Sequence, residues 1–289
     1  MRTYPALEIA WPGWPGGDDD DERVGLVLAA IDDEHPIAIE PAPGGIRLFF
    51  ASPVARGRAA IKITAEDSAA VCTPLDVPDD GWAARSQASL GPVTVGRITV
   101  ATPAADVAEK ADIVVRIQAS MGFGTGHHAS TRVMLELMQR EALTAKSVVD
   151  VGTGSGVLAI AARALGGANI TALDVDADAL QAARESLALN GAEQDIALAE
   201  RDLAEAPEAL QRAFDLVLAN LTGAAITRGA GALAKLAQPA GRIIVSGFQA
   251  DETEAVSAAL ADAGWLVADR AEDEGWFGFT AIPRPPTKY

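Results

Sequence analysis

Just after Ser147 a short apolar run, Val148-Val149-Asp150-Val151, breaks into Gly152-Thr153-Gly154-Ser155-Gly156 and resumes at once as the helix-patterned segment Val157–Leu165. A brief run of branched apolar residues bounded by glycines reads as a strand buried on both faces. A strand that enters a helix through a glycine turn is the opening of a parallel α/β unit. Glycines there let the backbone turn with φ > 0 and let a ligand come close to the main chain. A dinucleotide site places its third glycine in a G-x-G-x-x-G pattern. Here that position is Val157 and the glycines run G-x-G-x-G, which disfavours a nicotinamide or flavin cofactor.

The rest of residues 111–289 repeats the strand–helix alternation. Strand-like runs fall at Ile113–Ile117, Ser147–Val151, Ile170–Val175, Ile196–Ala199, Leu216–Ala219 and Arg242–Ser246. Helical patterns fall at Thr131–Arg140, Val157–Leu165, Ala177–Leu189, Ala206–Ala213, Ala224–Leu236 and Glu252–Ala263. This order predicts a mostly parallel sheet with helices on both faces. Trp265–Ala268 and Trp276–Ile282 have no helix between them and are expected to pair as an antiparallel hairpin at the end of the sheet. Residues 1–75 read as a smaller α+β domain, with strands at Ala6–Trp11, Pro36–Ile39, Ile46–Ala51, Ala59–Ile63 and Ala70–Leu75 and a helix at Glu22–Ile31. Residues 76–110, with turn residues at Pro78–Gly81 and Gly91-Pro92 and one extended stretch at Val93–Ala101, read as a connector.

Three polar positions stand out, two of them at the carboxyl ends of strands, where ligands of open α/β sheets bind. Asp174 closes the strand Ile170–Asp174, about 20 residues after the glycine turn, where a carboxylate can accept hydrogen bonds from both hydroxyls of a ribose. With Gly152, Gly154 and Gly156 it points to an adenosine-containing cofactor. Asp176 and Asp178 suit the start of the next helix, and Asp202 is either close to an adenine amino group or an exposed loop acid. Asn220, at the end of Phe214–Asn220 and followed by Leu221-Thr222, offers a side-chain oxygen next to a backbone carbonyl. Two such acceptors can hold an amine by its hydrogens while its lone pair faces an electrophile. The third is the segment Met121–Thr131, MGFGTGHHAST, where glycines and hydroxyls precede a helix and Thr131 can donate to a cofactor carboxylate.

The chain carries 40 acidic and 23 basic side chains, a formal net charge of −17. A protein that grips nucleic acid by its phosphates needs a basic face, so direct nucleic-acid binding is not expected, whereas a Lys-rich protein partner suits this charge. The same charge also serves solubility alone. The single cysteine, Cys72, fits a reducing cytoplasm and a packing role. No apolar run reaches the roughly 18 residues of a membrane span, and the N-terminus has no signal-peptide pattern. The aspartate run 18–21 reads as a solvated loop. With three histidines and one cysteine in the chain, His127-His128 reads as pocket lining or a helix cap, and no metal is expected.

Together, GFGTGHHAST at 122–131, DVGTGSG at 150–156, Asp174 and Ala219-Asn220-Leu221 resemble the PrmA family, the bacterial methyltransferases of the eleventh protein of the large ribosomal subunit. Trp82 and Gly96-Arg97 extend the resemblance upstream. It implies a Rossmann-like class I S-adenosylmethionine methyltransferase domain behind a small substrate-recognition domain. It also implies cofactor contacts at Thr131, Gly152, Asp174 and Asn220, with Asn220 and Leu221 facing a lysine or N-terminal amine of the ribosomal protein. The same catalytic domain would equally serve another protein's lysines or a small amine. A nucleic-acid methyltransferase would carry Pro-Pro-aromatic after Asn220, where this chain has Leu-Thr-Gly. A non-catalytic binder would have no need of the intact glycine turn, Asp174 and Asn220.

Overall fold

The computed structural model describes residues 3–14, 23–24, 26–28, 30–31, 34, 36, 38–50, 52–78, 91–107, 111–117, 128–203, 210–211 and 213–285. The acidic run 18–22, Trp82, the glycine-rich segment 121–127 and most of the helix expected at 206–213 lie outside these residues. The chain divides into two compact units, Met1–Arg85 and Ser86–Tyr289.

In the first unit, β1 (Thr3–Ala10), β2 (Ala38–Ala42), β3 (Gly45–Phe49) and β4 (Val71–Pro78) form an antiparallel sheet in the order β2-β3-β1-β4. Leu7 and Ile9 of β1 and Leu48 of β3 point into a core that also takes Ala59 and Ile63 from helix α1 (Pro53–Glu66). Glu8 and Glu40 flank Arg47 across the three strands, and both carboxylates accept from its guanidinium, at 2.8 and 2.6 Å. All the residues described between 23 and 30 are helical, within the helix expected at Glu22–Ile31.

One expectation fails here. Ala59–Ile63 is not a strand but the middle of α1. Ser52 caps that helix by accepting from the Ala55 amide at 3.2 Å, and Pro53 occupies the first turn. From such a start, the buried Ala59 and Ile63 recur with helical spacing, and five residues of apparent alternation do not outweigh a cap.

The second unit is built on β8 (Ser147–Val151), β9 (Ala168–Asp174), β10 (Ile196–Glu200), β11 (Phe214–Asn220), β12 (Ala237–Gln249), β13 (Trp265–Asp273) and β14 (Trp276–Pro283). These seven strands lie in the order β10-β9-β8-β11-β12-β14-β13. The first five are parallel, and β14 enters antiparallel between β12 and β13. The terminal hairpin therefore forms as expected, with its first strand on the outside.

Neighbouring residues along each central strand face opposite sides. Val148, Leu216, Leu218 and Ile244 pack with helices α2 (Ala129–Gln139), α3 (Val157–Ala164) and α4 (Ala177–Leu189). Val149, Val217, Ala219, Ile243 and Val245 pack with α5 (Gly223–Leu236) and α6 (Thr253–Asp262). Each fully buried Val, Leu or Ile contributes about 1.5–3 kcal/mol, so this two-sided burial makes the central strands the rigid part of the unit.

Ile113–Ile117 was expected among the strands of the main sheet, and this too is corrected. Its strand, β7 (Ile113–Arg116), pairs in parallel with β6 (Ile98–Ala101), which pairs with β5 (Val93–Val95) in a separate three-stranded sheet. Two amides fasten that sheet by standing in for backbone. Gln139 of α2 accepts from the Arg97 amide at 2.7 Å and donates to the Val95 carbonyl at 2.9 Å. Asn190 accepts from the Arg116 amide at 2.9 Å and donates to its carbonyl at 2.6 Å. Backbone groups at a sheet margin need such partners, and here they are side chains.

Candidate functional site

β9 and β10 continue to one side of β8, whereas β11 and β12 lie on the other. The carboxyl ends of β8 and β11 therefore flank the point where the chain reverses direction across the sheet, the place where open α/β sheets leave a crevice. The glycine turn leaves β8 at this point, and Asn220 ends β11 beside it.

The turn is tied to β9. The amides of Gly152 and Thr153 donate to the Leu173 carbonyl at 2.8 and 2.9 Å. The Gly154 amide donates to Asp174 Oδ2 at 2.9 Å, and the Asp176 amide to Asp174 Oδ1 at 3.1 Å. Asp174 thus has one backbone donor on each oxygen, and a carboxylate oxygen has capacity for a second. Gly156 caps α3 without a side chain. Asp176 caps α4, its side chain accepting from Asp178, and Asp202 is exposed just beyond β10.

Gly152 has φ +71°, and a Cβ there would come within 2.5 Å of Leu221 Cδ2. The glycine lets the Leu221 side chain rest on the turn, so the β8 and β11 ends touch. Thr131 lies buried in the first turn of α2, and Asn220 Nδ2 approaches its Oγ1 at 3.4 Å. That helix is held by Arg132, which pairs with Asp273 at 2.5 Å and Glu274 at 2.9 Å in the β13–β14 turn. Of the residues expected at a site, Thr131, Gly152, Asn220 and Leu221 are joined by these contacts. Gly154 and Asp174 join through the turn, and Gly156 ends it.

Two titratable groups of this unit are shifted by burial. Asp150 is fully buried, and Thr153 Oγ1 donates to its Oδ2 at 2.7 Å. Burial pushes its carboxyl up to about 7, with Thr153 and the Ala159 amide drawing it part of the way back. Among the described residues Oδ1 has no hydrogen-bond partner of normal geometry. His128 caps α2 through Nδ1, which lies 2.7 Å from Ser130 Oγ. Its ring meets Trp276 edge-on with centroids 4.5 Å apart, and burial lowers its pKa ahead of the effect of Arg132.

Sequence reasoning did not single out Ser246, Gly247 and Trp276. Ser246 pairs with Asn220 in register, and its carbonyl accepts from the Leu221 amide at 2.9 Å. Gly247, with φ +100°, sits in the bulge between β12 and β14. A glycine directly after an apolar strand was the available signal, the same one that marked Gly152.

This arrangement, a glycine turn tied to an acid on the next strand and an Asn at the switch point, suits a nucleoside cofactor and an amine acceptor side by side. Residues 55–282 match the family model described as Ribosomal protein L11 methyltransferase (PrmA). The chain belongs to this family. It is 36% identical over 208 residues to a ribosomal protein L11 methyltransferase of Symbiobacterium thermophilum, covering 71% of this chain and 67% of that protein. A Ralstonia nicotianae protein of the same name is 30% identical over 257 residues, covering 84% of each chain. Among solved structures, the ribosomal protein L11 methylase of Lactobacillus delbrueckii subsp. bulgaricus superposes with a TM-score of 0.61 at 27% identity, over 68% of this chain and 98% of that one. The second unit of this PrmA-family chain is accordingly a Rossmann-like methyltransferase domain, and the chain is a methyltransferase. No described helix is long and apolar enough to cross a membrane.

Proposed function

We propose that this chain transfers methyl groups from S-adenosylmethionine to amino groups of ribosomal protein L11, on lysine side chains and the N-terminal amine, in the cytoplasm. One observation carries the reading. The Leu221 side chain rests on the glycine turn and the Asn220 amide nitrogen meets Thr131 Oγ1, so a cofactor on the turn and an amine at the Asn220-Leu221 acceptors would be neighbours. When bound, S-adenosylmethionine supplies a methyl made electrophilic by its sulfonium. The backbone of Gly152, Gly154 and Gly156 lines its methionine part, Thr131 Oγ1 donates to its carboxylate, and Asp174 accepts from the ribose hydroxyls through the lone pairs its backbone donors leave.

Asn220 Oδ1 and the Leu221 carbonyl accept the N–H groups of the target amine and leave its lone pair for the methyl. Orientation of this kind lowers a barrier without a proton-transfer group. A free lysine has a pKa of about 10.4, so its proton must leave to solvent before attack. The net charge of −17 favours approach by a Lys-rich protein and disfavours nucleic acid.

The test is incubation of the purified protein with S-adenosylmethionine carrying a labelled methyl and purified ribosomal protein L11, followed by peptide mapping. Label on lysine or the N-terminal amine is the expected result. Cofactor binding with label only on another protein, or on a small amine, would overturn the substrate assignment.

A further inference from the structure

We infer that Gly247 is a positioning residue of the transfer reaction: its missing side chain is what allows the Leu221 carbonyl and Asn220 Oδ1 to sit together as one pair of acceptors. Three independent features meet at this residue. A Cβ built on Gly247 would collide with the Leu221 carbonyl oxygen, would lie 2.9 Å from the carbonyl carbon and would come within 3.1 Å of Asn220 Oδ1. Both acceptors therefore crowd the same small volume, and the nearer obstacle is backbone, which cannot swing aside as a side-chain tip can. The φ of +100° is one that residues with a Cβ rarely adopt. Finally, the register between β12 and β14 shifts between Ser246 and Phe248, so Gly247 is the extra residue of a bulge.

Bulges re-aim the chain beside sites, and this one is pinned on both sides. Ser246 Oγ donates to the Phe277 carbonyl at 2.8 Å, and the Ser246 carbonyl accepts from the Leu221 amide at 2.9 Å. A methyl at 247 has no outward escape along this pinned segment. It must push the Leu221 carbonyl, and with it the Asn220 side chain, out of line with the methyl donor. A displacement of about 1 Å at reacting groups lowers a rate on the order of 100-fold. Gly247 is not itself a cofactor contact, but Leu221 rests on Gly152 and Asn220 meets Thr131, so a modest change in cofactor affinity accompanies a larger loss of rate.

This inference rests on the proposed transfer reaction, and the experiment separates the two. Single-turnover methyl transfer and cofactor Kd are measured for the native chain, Gly247→Ala, Asn220→Ala and the double variant. Gly264→Ala serves as a control for backbone strain, because Gly264 has φ +88° and nothing within 4 Å of a built Cβ. The expected result is a rate loss on the order of 100-fold for Gly247→Ala with Kd changed by less than about tenfold. The loss should be clearly smaller when Asn220 is already Ala, since only the Leu221 carbonyl is then left for the added methyl to displace. Gly264→Ala should lose thermal stability and keep its rate. Should Gly247→Ala not fold, Ser246→Ala, which releases the bulge from Phe277, must give a smaller rate loss with the same dependence on Asn220. An active native enzyme with an unimpaired Gly247→Ala, or an undiminished loss in the Asn220→Ala background, overturns this inference alone. A native enzyme that binds cofactor and transfers nothing overturns the reading beneath it.

Discussion

Strands β8 and β11 pair in parallel from Val148 to Val151, yet their two ends are built in opposite ways. At the amino end, Asp215 accepts from the Ser147 amide and hydroxyl, both at 2.9 Å, and from Lys146 at 3.2 Å. Its own amide donates to Ser147 Oγ at 3.0 Å. Burial alone would raise the Asp215 carboxyl, but the Ser147 donors and Lys146 outweigh it and hold the group below the ordinary carboxylate range. At the carboxyl end, Asp150 is fully buried with Thr153 Oγ1 donating to it, and burial pushes its carboxyl up to about 7. Glycines replace side chains there, and Asn220 meets Thr131 through a long 3.4 Å contact. The same strands thus close one end as a saturated network and leave acceptors available at the other. Saturation stabilises, whereas uncommitted acceptors in a fixed frame are what a binding site requires.

The contrast can be broken most strongly at Asp150. A carboxyl whose folded pKa exceeds its unfolded value keeps a proton in the native state that the unfolded chain has already lost. The stability tied to this group is therefore full below pH 3.8 and declines as the pH rises to about 7. The whole decline is on the order of 4 kcal/mol. Asp150→Asn should lose that slope, so urea melts at pH 5 and pH 8 should differ less than those of the native chain; an unchanged difference would show that Asp150 is not the strained group.

Next in size is Asp174→Ala, which removes a charged acceptor from the site but little from the core. Cofactor titration should show binding weakened about 100-fold, equivalent to about 3 kcal/mol for hydrogen bonds to a charged group. A change of less than threefold would remove Asp174 from the site. The smallest effect belongs to the closed end: Asp215→Ala should lower stability by about 2 kcal/mol in denaturant while methyl transfer per folded molecule stays unchanged. Loss of transfer there would mean that the two ends are coupled.

How far these features were visible in the residues depends on whether they are local. Val148–Gly156, Asp174 and Asn220 each sit at a strand end, and a strand end announces itself within a few residues. The parallel character of the sheet followed from alternation alone, whereas the order of its strands came from the structure. By contrast, the pairing of Ile113–Arg116 with β6 depends on strand partners distant from its own pattern, so it read as one more strand of the main sheet. Ala59–Ile63 alternated over too few residues to reveal the Ser52 cap that made it helical. Gly247 was invisible for a related reason, since its role exists only once β14 has inserted beside β12 and shifted the register. Trp276 meets His128 across most of the domain's sequence.

The most direct measurement sets the two ends against each other. Single-turnover transfer of labelled methyl to ribosomal protein L11 is followed for Asn220→Ala and Asp215→Ala, with thermal unfolding of both. The account predicts a loss on the order of 100-fold or more for Asn220→Ala with its melting temperature nearly kept, and the reverse pattern for Asp215→Ala. A native rate in Asn220→Ala, or a rate loss that simply follows the melting temperature in both variants, would contradict it.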